Sequence, residues 1–196
     1  MSGVSDKQVY LPSPDQTPTT GAVATAPVGT TAPADARAKL NTPWNSGGYV
    51  GSDGMSMSVS KSYKTIKDWS QSVVRKALSE FDSTIKFPWL QIDEFAMKHT
   101  FGSGNVTTKA ATSAAGNQMK VGIGSDTPGV MAWCFSMKDE NRRVRVYVPR
   151  GEVTEVGEVP FKPSDDHIYN VTLSTYDDGT GHSVYVMYDD GAVIAG

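Results

Sequence analysis

Residues 24–106 read ATAPVGTTAPADARAKLNTPWNSGGYVGSDGMSMSVSKSYKTIKDWSQSVVRKALSEFDSTIKFPWLQIDEFAMKHTFGSGNV, and the succession of elements in this stretch decides the fold. Residues 55–63 alternate as Met-Ser-Met-Ser-Val-Ser-Lys-Ser-Tyr. This period of two is typical of a strand with one apolar and one polar face. Residues 73–87 form a second predicted strand of about fifteen residues, whereas most strands have roughly five or six. A strand of that length is expected to project past the sheet of its own domain.

Alternation along the second strand separates its side chains into two sets. The set expected to lie in the core contains Ala77, Phe81, Ile85 and Phe87. The opposite set contains Lys76, Glu80, Asp82, Thr84 and Lys86. We therefore expect Glu80 and Asp82 to face away from the core.

The two strands are joined by the polar segment Lys64–Ser72, which carries Trp69. We predict a mobile loop here, as the last part of a long loop region over about residues 31–72. Long excursions of this kind inside a compact domain are usually functional. A helix is predicted over about residues 89–101, because Pro88 suits a helix start and Gly102 suits its end.

The rest of the chain indicates an antiparallel β-protein. Residues 1–20 are rich in Pro, Ser and Thr and are predicted to form an extended arm, which either remains disordered or lies along a neighbouring subunit. Its one apolar cluster, and therefore its expected anchor, is Val9, Tyr10 and Leu11. Strand-like runs follow at 119–123, 129–137, 144–148, 152–159, 168–176 and 182–188, and the turns at 138–141 and 177–181 predict hairpins. The predicted fold of residues 21–196 is a single mainly β domain, an antiparallel β-sandwich or partly open barrel with one packed α-helix.

The order of these pieces resembles the major tail tube protein of long-tailed bacteriophages. The resemblance is carried by short motifs in the family's order, namely Ala26-Pro27-Val28-Gly29, Gly48-Tyr49-Val50, Asp53-Gly54, Ile66-Lys67 with Trp69, Val74-Arg75, Phe87 with Leu90, and Phe101-Gly102 with Asn105-Val106. Each motif alone is a common turn or strand fragment. Seven of them in order over some eighty residues are specific to the family.

The resemblance implies a structural virion subunit and not an enzyme. Members of this kind form homohexameric rings that stack into a tube around the tape measure protein, between the tail terminator and the tail tip proteins. Genomic DNA later passes through the lumen without specific binding. Within such a tube we expect a ring-stacking role for Lys64, Lys67 and Trp69, because their segment is polar yet carries an aromatic residue, and a lumen-facing role for Glu80 and Asp82, because they face away from the core. The resemblance also implies assembly in the host cytoplasm, and we expect no immunoglobulin-like domain after the last hairpin.

Composition agrees with this interpretation. The net charge is only −3, which does not predict a nucleic-acid-binding protein, and we expect neither a signal peptide nor a membrane segment. The lone cysteine, Cys134, excludes an intrachain disulfide and is expected to be a small core residue. The basic run 141–145 alternates with valine, as the solvated or subunit-facing side of a strand would.

No residue set predicts catalysis, a cofactor or a metal. The three histidines, His99, His167 and His182, lack ligand spacing and are expected at the surface or in turns. Asp165-Asp166 and Asp177-Asp178 are interpreted as turn residues rather than as a calcium site. The residues leave two alternatives open. The first is another self-assembling virion part, such as a tail terminator or head decoration protein, and the second is a carbohydrate-binding β-sandwich. The second would use Trp44, Tyr49, Trp69 and Trp133 as stacking platforms.

Overall fold

The computed structural model describes residues 9–17 and 20–192. The predicted fold class is confirmed, since the chain is mainly antiparallel β with one α-helix. The elements are β1 (Ser13–Pro14), β2 (Val23–Ala26), β3 (Asn45–Gly47), β4 (Ser56–Lys67), β5 (Val73–Trp89), α1 (Glu94–Phe101), β6 (Val106–Lys109), β7 (Gln118–Val121), β8 (Met131–Asp139), β9 (Arg142–Val156), β10 (Tyr169–Thr175) and β11 (Tyr185–Asp189).

The main sheet runs in the order β3-β2-β8-β9-β10-β5-β4, with every neighbouring pair antiparallel. β9 is 15 residues long and replaces the two separate strands predicted from the sequence. β10 pairs with the second half of β9, and β11 pairs with its first half. The predicted hairpin at 177–181 is therefore wrong, because both flanking strands pair with β9 and the segment between them is an excursion from its edge.

The core lies between the main sheet, α1 and the small β6–β7 sheet. Alternating residues of β5, β8, β9 and β10 supply most of it, including Phe87 and Trp89 of β5 and Trp133 and Phe135 of β8. Their rings meet edge to face or stack, which is the preferred geometry of aromatic pairs. Cys134 is fully buried, as predicted, and burial raises the pKa of its thiol to about 11.

The helix is shorter than predicted. Trp89 and Pro88 remain in β5, opposite Tyr169 and Asn170 of β10. α1 begins at Glu94 because the carboxylate of Asp93 accepts a hydrogen bond from the Ala96 N–H and caps the first turn. Gly102 ends the helix with φ of 91°.

A second layer covers the opposite face of β9. Trp44, from the loop before β3, packs edge to face on Tyr147. Arg145 is only 6% exposed and donates from Nη1 to the carbonyl oxygens of Asp35 and Ala38, at 2.9 and 2.7 Å. The prediction of a solvated or subunit-facing side chain is thus wrong for Arg145, which fixes this loop to the sheet.

The predicted loop region 31–72 is divided by regular structure. Residues 45–47 form β3, and β4 continues through Lys64 to Lys67, past the predicted start of the loop. Thr65 and Ile66 favour a strand, and Lys64–Lys67 pair with residues 73–77 of β5. The connection between β4 and β5 is consequently only a tight turn over residues 68–72, whereas a long loop was predicted.

The predicted arm lies partly outside the described residues, which exclude 1–8 and 18–19. Residues 13–14 pair with Met137 and Lys138 of β8 in the same chain. The backbone N–H of Leu11 donates to Asp139, Arg142 donates to the Val9 carbonyl, and the ring of Tyr10 contacts Tyr188. The side chains of Val9 and Leu11 remain exposed, so their predicted contact with a neighbouring subunit stays a prediction.

Candidate assembly surface

The β4–β5 hairpin extends far beyond the sheet that carries it. β10 pairs with β5 only from Trp89 to Thr84, so residues 59–83 form a two-stranded ribbon, which we call the ribbon. Within the described residues, neither the outer edge of β4 nor the edge of β5 below Thr84 has a partner strand. A two-stranded hairpin is marginally stable alone in water. The ribbon therefore presents two open edges that a further strand can satisfy.

Exposed apolar side chains are concentrated on this hairpin. Of the 19 large apolar side chains that are exposed in the described residues, nine belong to it, namely Met57, Val59, Tyr63, Ile66, Trp69, Val73, Val74, Leu78 and Phe81. Phe81 is 50% exposed, so its predicted place in the core is wrong. The reason is the projection of the strand, because the core ends at Ile85 and Ser83 while Phe81 lies beyond them.

The register divides the ribbon into an apolar and a polar face. Cross-strand partners share a face, and Val59, Lys61 and Tyr63 pair with Ser83, Phe81 and Leu78. This face, which we call the apolar face, carries Met57, Val59, Tyr63, Leu78 and Phe81 together with Lys61, and it continues the core face of β5. The polar face consists of the alternate residues Ser58, Ser60, Ser62, Glu80, Asp82 and Thr84.

A β-bulge changes the alternation near the middle of the ribbon. Ser62 pairs with Glu80, whereas Tyr63 pairs with Leu78, so Ser79 is the extra residue. Lys76, which pairs with Thr65, thereby moves to the apolar face, and the prediction that it shares a face with Glu80 is wrong. Arg75, opposite Ile66, takes its place on the polar face.

The structure places the predicted lumen-facing carboxylates side by side on the polar face. Asp82 and Glu80 stand opposite Ser60 and Ser62. Both carboxylates are exposed, and no basic side chain of the described residues forms an ion pair with them. Beyond the Ser62–Glu80 pair the ribbon has the opposite sign, with Lys64, Lys67, Arg75 and Lys76 against the single acid Asp68.

The turn at the end of the ribbon holds Trp69 in solvent. The Asp68 carboxylate accepts hydrogen bonds from the Ser70 hydroxyl and the Ser72 N–H, and the Asp68 N–H donates to the Ser72 carbonyl. The Ser70 hydroxyl bond is the main reason that the pKa of Asp68 lies below its usual value. Gln71 completes the turn with φ of 67°. The predicted mobile loop is therefore a closed turn, and the Trp69 indole at its apex is fully exposed.

Three buried hydroxyl groups lie where the ribbon leaves the sheet. The Ser83 hydroxyl contacts the hydroxyl groups of Thr175 and of Ser183, the latter at 2.8 Å, and Thr175 also donates to the Ser83 carbonyl. These bonds satisfy polar groups at the point where β5 loses its β10 partner. Sequence alternation did not single out these residues, since isolated Ser and Thr in strands carry no distinctive signal.

The other sequence candidates are not brought together. Trp133 is buried in the core, Trp44 packs on Tyr147, and Trp69 lies at the far end of the ribbon, so the aromatic residues form no common stacking platform. His99 is not a surface residue, because its ring packs between Phe95 and Trp133. Among the described residues no group of three or more His, Cys, Asp or Glu side chains could hold a metal ion. Asp178 instead accepts from the hydroxyl groups of Tyr185 and Thr180, and these bonds hold the pKa of its carboxyl well below the usual range.

No helix within the described ranges has the length and apolar character to span a membrane. In comparisons with known proteins, residues 13–195 match the model of a family described as phage tail tube protein. No curated protein matches the chain significantly.

Proposed function

Since the chain belongs to the phage tail tube protein family, we propose that it assembles as homohexameric rings joined through the ribbon. The family is structural and not enzymatic, so the chain is a virion tail component that assembles into a tube. The ribbon is the observation that supports this proposal. It is a long two-stranded element with open edges and the largest share of exposed apolar side chains.

Lateral closure follows from the two open edges. The free edge of β4 in one subunit pairs with the free distal edge of β5 in its neighbour, and six repetitions close a barrel without edges. The neighbouring subunits cover the apolar face, and the polar face with Glu80 and Asp82 lines the lumen. Obligate interfaces of this kind bury roughly 2,000 Å² or more.

Axial contacts are made by Lys64, Lys67 and Trp69 at the end of the ribbon. The partners of the tube are the tape measure protein inside it and the tail terminator and tail tip proteins at its ends. Assembly takes place in the host cytoplasm. The finished lumen conducts the genome into the host without specific DNA binding.

Negative-stain microscopy and light scattering of the purified chain test the proposal. We expect rings and long tubes at high protein concentration. A monodisperse monomer under every salt and protein concentration tried would contradict it.

Two adjacent substitutions provide a matched pair for the ring contact. Val59→Lys places a charge on the apolar face, whereas Ser60→Lys places the same charge on the polar face, and both positions are exposed in the free subunit. We expect both variants to fold, Val59→Lys to remain monomeric because a buried unpaired charge is costly, and Ser60→Lys to form rings. Rings from Val59→Lys would show that the apolar face is not an interface.

A further inference from the structure

An apolar cleft of about 400 Å³ opens at the root of the hairpin. The N-terminal segment forms one wall and the turn before β4 forms the other. Its apolar lining includes Pro12, Pro14, Val50, Met55, Phe135 and Met137. The cleft is large enough for one bulky aromatic side chain, and the apolar lining favours such an occupant.

The Trp69 indole is the side chain best suited to fill it. Trp69 is the most exposed large apolar residue of the described chain. The hydrogen bonds of Asp68 fix the turn that presents the indole, so little conformational entropy is lost on docking. The residues that contribute most to protein interfaces are enriched in tryptophan and lie in well-packed, desolvated pockets.

The geometry excludes insertion of Trp69 into the cleft of its own chain. The cleft includes Met55, directly before β4, whereas Trp69 follows the end of β4. The 12 residues of β4 span roughly 35–40 Å at about 3.3 Å per residue. The tip and the cleft are therefore at opposite ends of the hairpin.

On the premise that the chain forms the stacked tube described above, we propose that Trp69 of one subunit occupies this cleft in a second copy in the next ring. Charge complementarity supports the pairing. Lys64 and Lys67 flank the tip, and Asp53 lies on the rim of the cleft without an ion pair among the described residues.

The pairing also sets the form of the assembly. A tip that binds a different surface of the next copy is a heterologous contact, and such a contact directed along the tube axis repeats without closing and produces a filament. When tip and cleft lie along the tube axis, the ring repeat equals the length of the hairpin, roughly 35–40 Å.

Cross-linking in assembled tubes tests the pairing. The double variant Ser52→Cys and Gln71→Cys places one thiol on the rim of the cleft and one in the turn that carries Trp69, while the native Cys134 is buried and does not react. A short bis-maleimide should yield a ladder of products longer than dimers. The matched control, Ser125→Cys with Gln71→Cys, places the first thiol on an exposed loop outside the cleft and should yield no ladder.

The Trp69→Ala variant separates this inference from the function on which it rests. We expect the variant to form rings but to need at least about tenfold more protein to form tubes. Absence of rings from the unmodified chain would overturn the proposed function. Tubes from the unmodified chain, with no ladder from the cleft pair or with equal cross-linking of the control pair, would overturn the cleft as the receptor and leave the tube function in place.

Discussion

At the scale of single residues, Trp89 and Gly48 show how closely the loop before β4 is packed on the core. Trp89 is fully buried, with its ring edge to face against Phe87 and Phe95. The backbone of Gly48 crosses this ring with φ of 72°, and a Cβ at that position would lie 2.4 Å from Cζ3 of Trp89. The Gly-Tyr-Val motif at 48–50 therefore has a packing reason.

We predict that Gly48→Ala destabilises the subunit by about 2 kcal/mol or more, since the new methyl group must displace a buried ring and adopt a strained φ. Gly54→Ala is the matched control, because Gly54 has φ of 66° but no atom lies within 4 Å of the place a Cβ would take, and only the strain of about 1 kcal/mol remains. Urea unfolding of the monomeric subunit measures both. Equal losses would contradict the close approach to Trp89.

His99 is expected to make stability depend on pH. Its Nδ1–H donates to the Phe95 carbonyl, which can only accept, so in the neutral ring Nε2 accepts from the Thr25 hydroxyl. Burial lowers the pKa of His99 below its ordinary value of 6.5. In the unfolded chain His99 takes up a proton as the pH falls through about 6.5, whereas in the folded chain it does so only at lower pH. Stability is therefore full above this pH and decreases below it.

The His99→Gln variant checks this prediction. We expect the unfolding free energy of the unmodified subunit to fall more steeply between pH 7.5 and about 5 than that of the variant. Carboxyl groups titrate in both proteins and cancel in the comparison. Parallel pH profiles would show that His99 is not responsible.

At the scale of elements, the ribbon is regular in structure but poorly supported in the free subunit. Its two strands bond only to each other, and both of its faces are largely exposed. Elements with few buried contacts open at low free energy. The β8–β9 pair, by contrast, supplies buried residues to the core.

We predict that the ribbon gains protection from amide hydrogen exchange on assembly. Residues 59–67 and 73–82 should exchange rapidly in the monomer and become protected in tubes, because neighbouring strands then occupy both edges. The β8–β9 pair provides the internal control and should be protected in both states. Equal ribbon protection in monomer and tube would contradict edge pairing.

The sequence predicted the positions of the strands better than it predicted which strands pair and which face each side chain takes. Alternation identified β4 because serine occupies every second position over residues 55–63, where the other positions are apolar or aromatic except for Lys61. It placed Lys76 on the wrong face because a bulge at Ser79 adds one residue to the strand, and nothing in the residue types marks that addition. The Asp-Gly turn at 177–181 predicted a hairpin, but the length of β9 decided the pairing of both flanking strands.

Some residues of the candidate assembly surface were predictable from the sequence, and others were not. Trp69 was identified because a large aromatic residue is unexpected in a polar connection. The burial of Arg145 was not predictable, because its partners are carbonyl groups of a loop more than a hundred residues earlier in the chain. The apolar cleft was missed for a similar reason, since its walls come from four separate segments.

At the scale of the whole molecule, the charges of the subunit are sorted by position. Beyond the Ser62–Glu80 pair the ribbon carries four basic side chains and one acid, while the whole chain has a net charge of −3, so the remainder is distinctly acidic. In a closed ring, six copies of Glu80 and six of Asp82 would form two adjacent acidic belts on the polar face. Lys86 near the root and Arg75 near the tip lie beyond these belts.

Acidic belts would keep DNA from adhering to the wall during its passage. Each contact of a basic side chain with a phosphate adds salt-dependent affinity and slows movement, whereas like charge prevents such contacts.

We predict that Glu80→Lys with Asp82→Lys still folds and forms tubes, because both side chains are exposed and pair across the strand only with serines. Phage that carry this variant should eject DNA more slowly than normal, and most clearly at low salt. The control, Asp126→Lys with Glu158→Lys, makes the same change in net charge at exposed positions outside the ribbon and should leave ejection unchanged. Ejection at the normal rate from the Glu80 and Asp82 variant would show that these side chains do not govern passage.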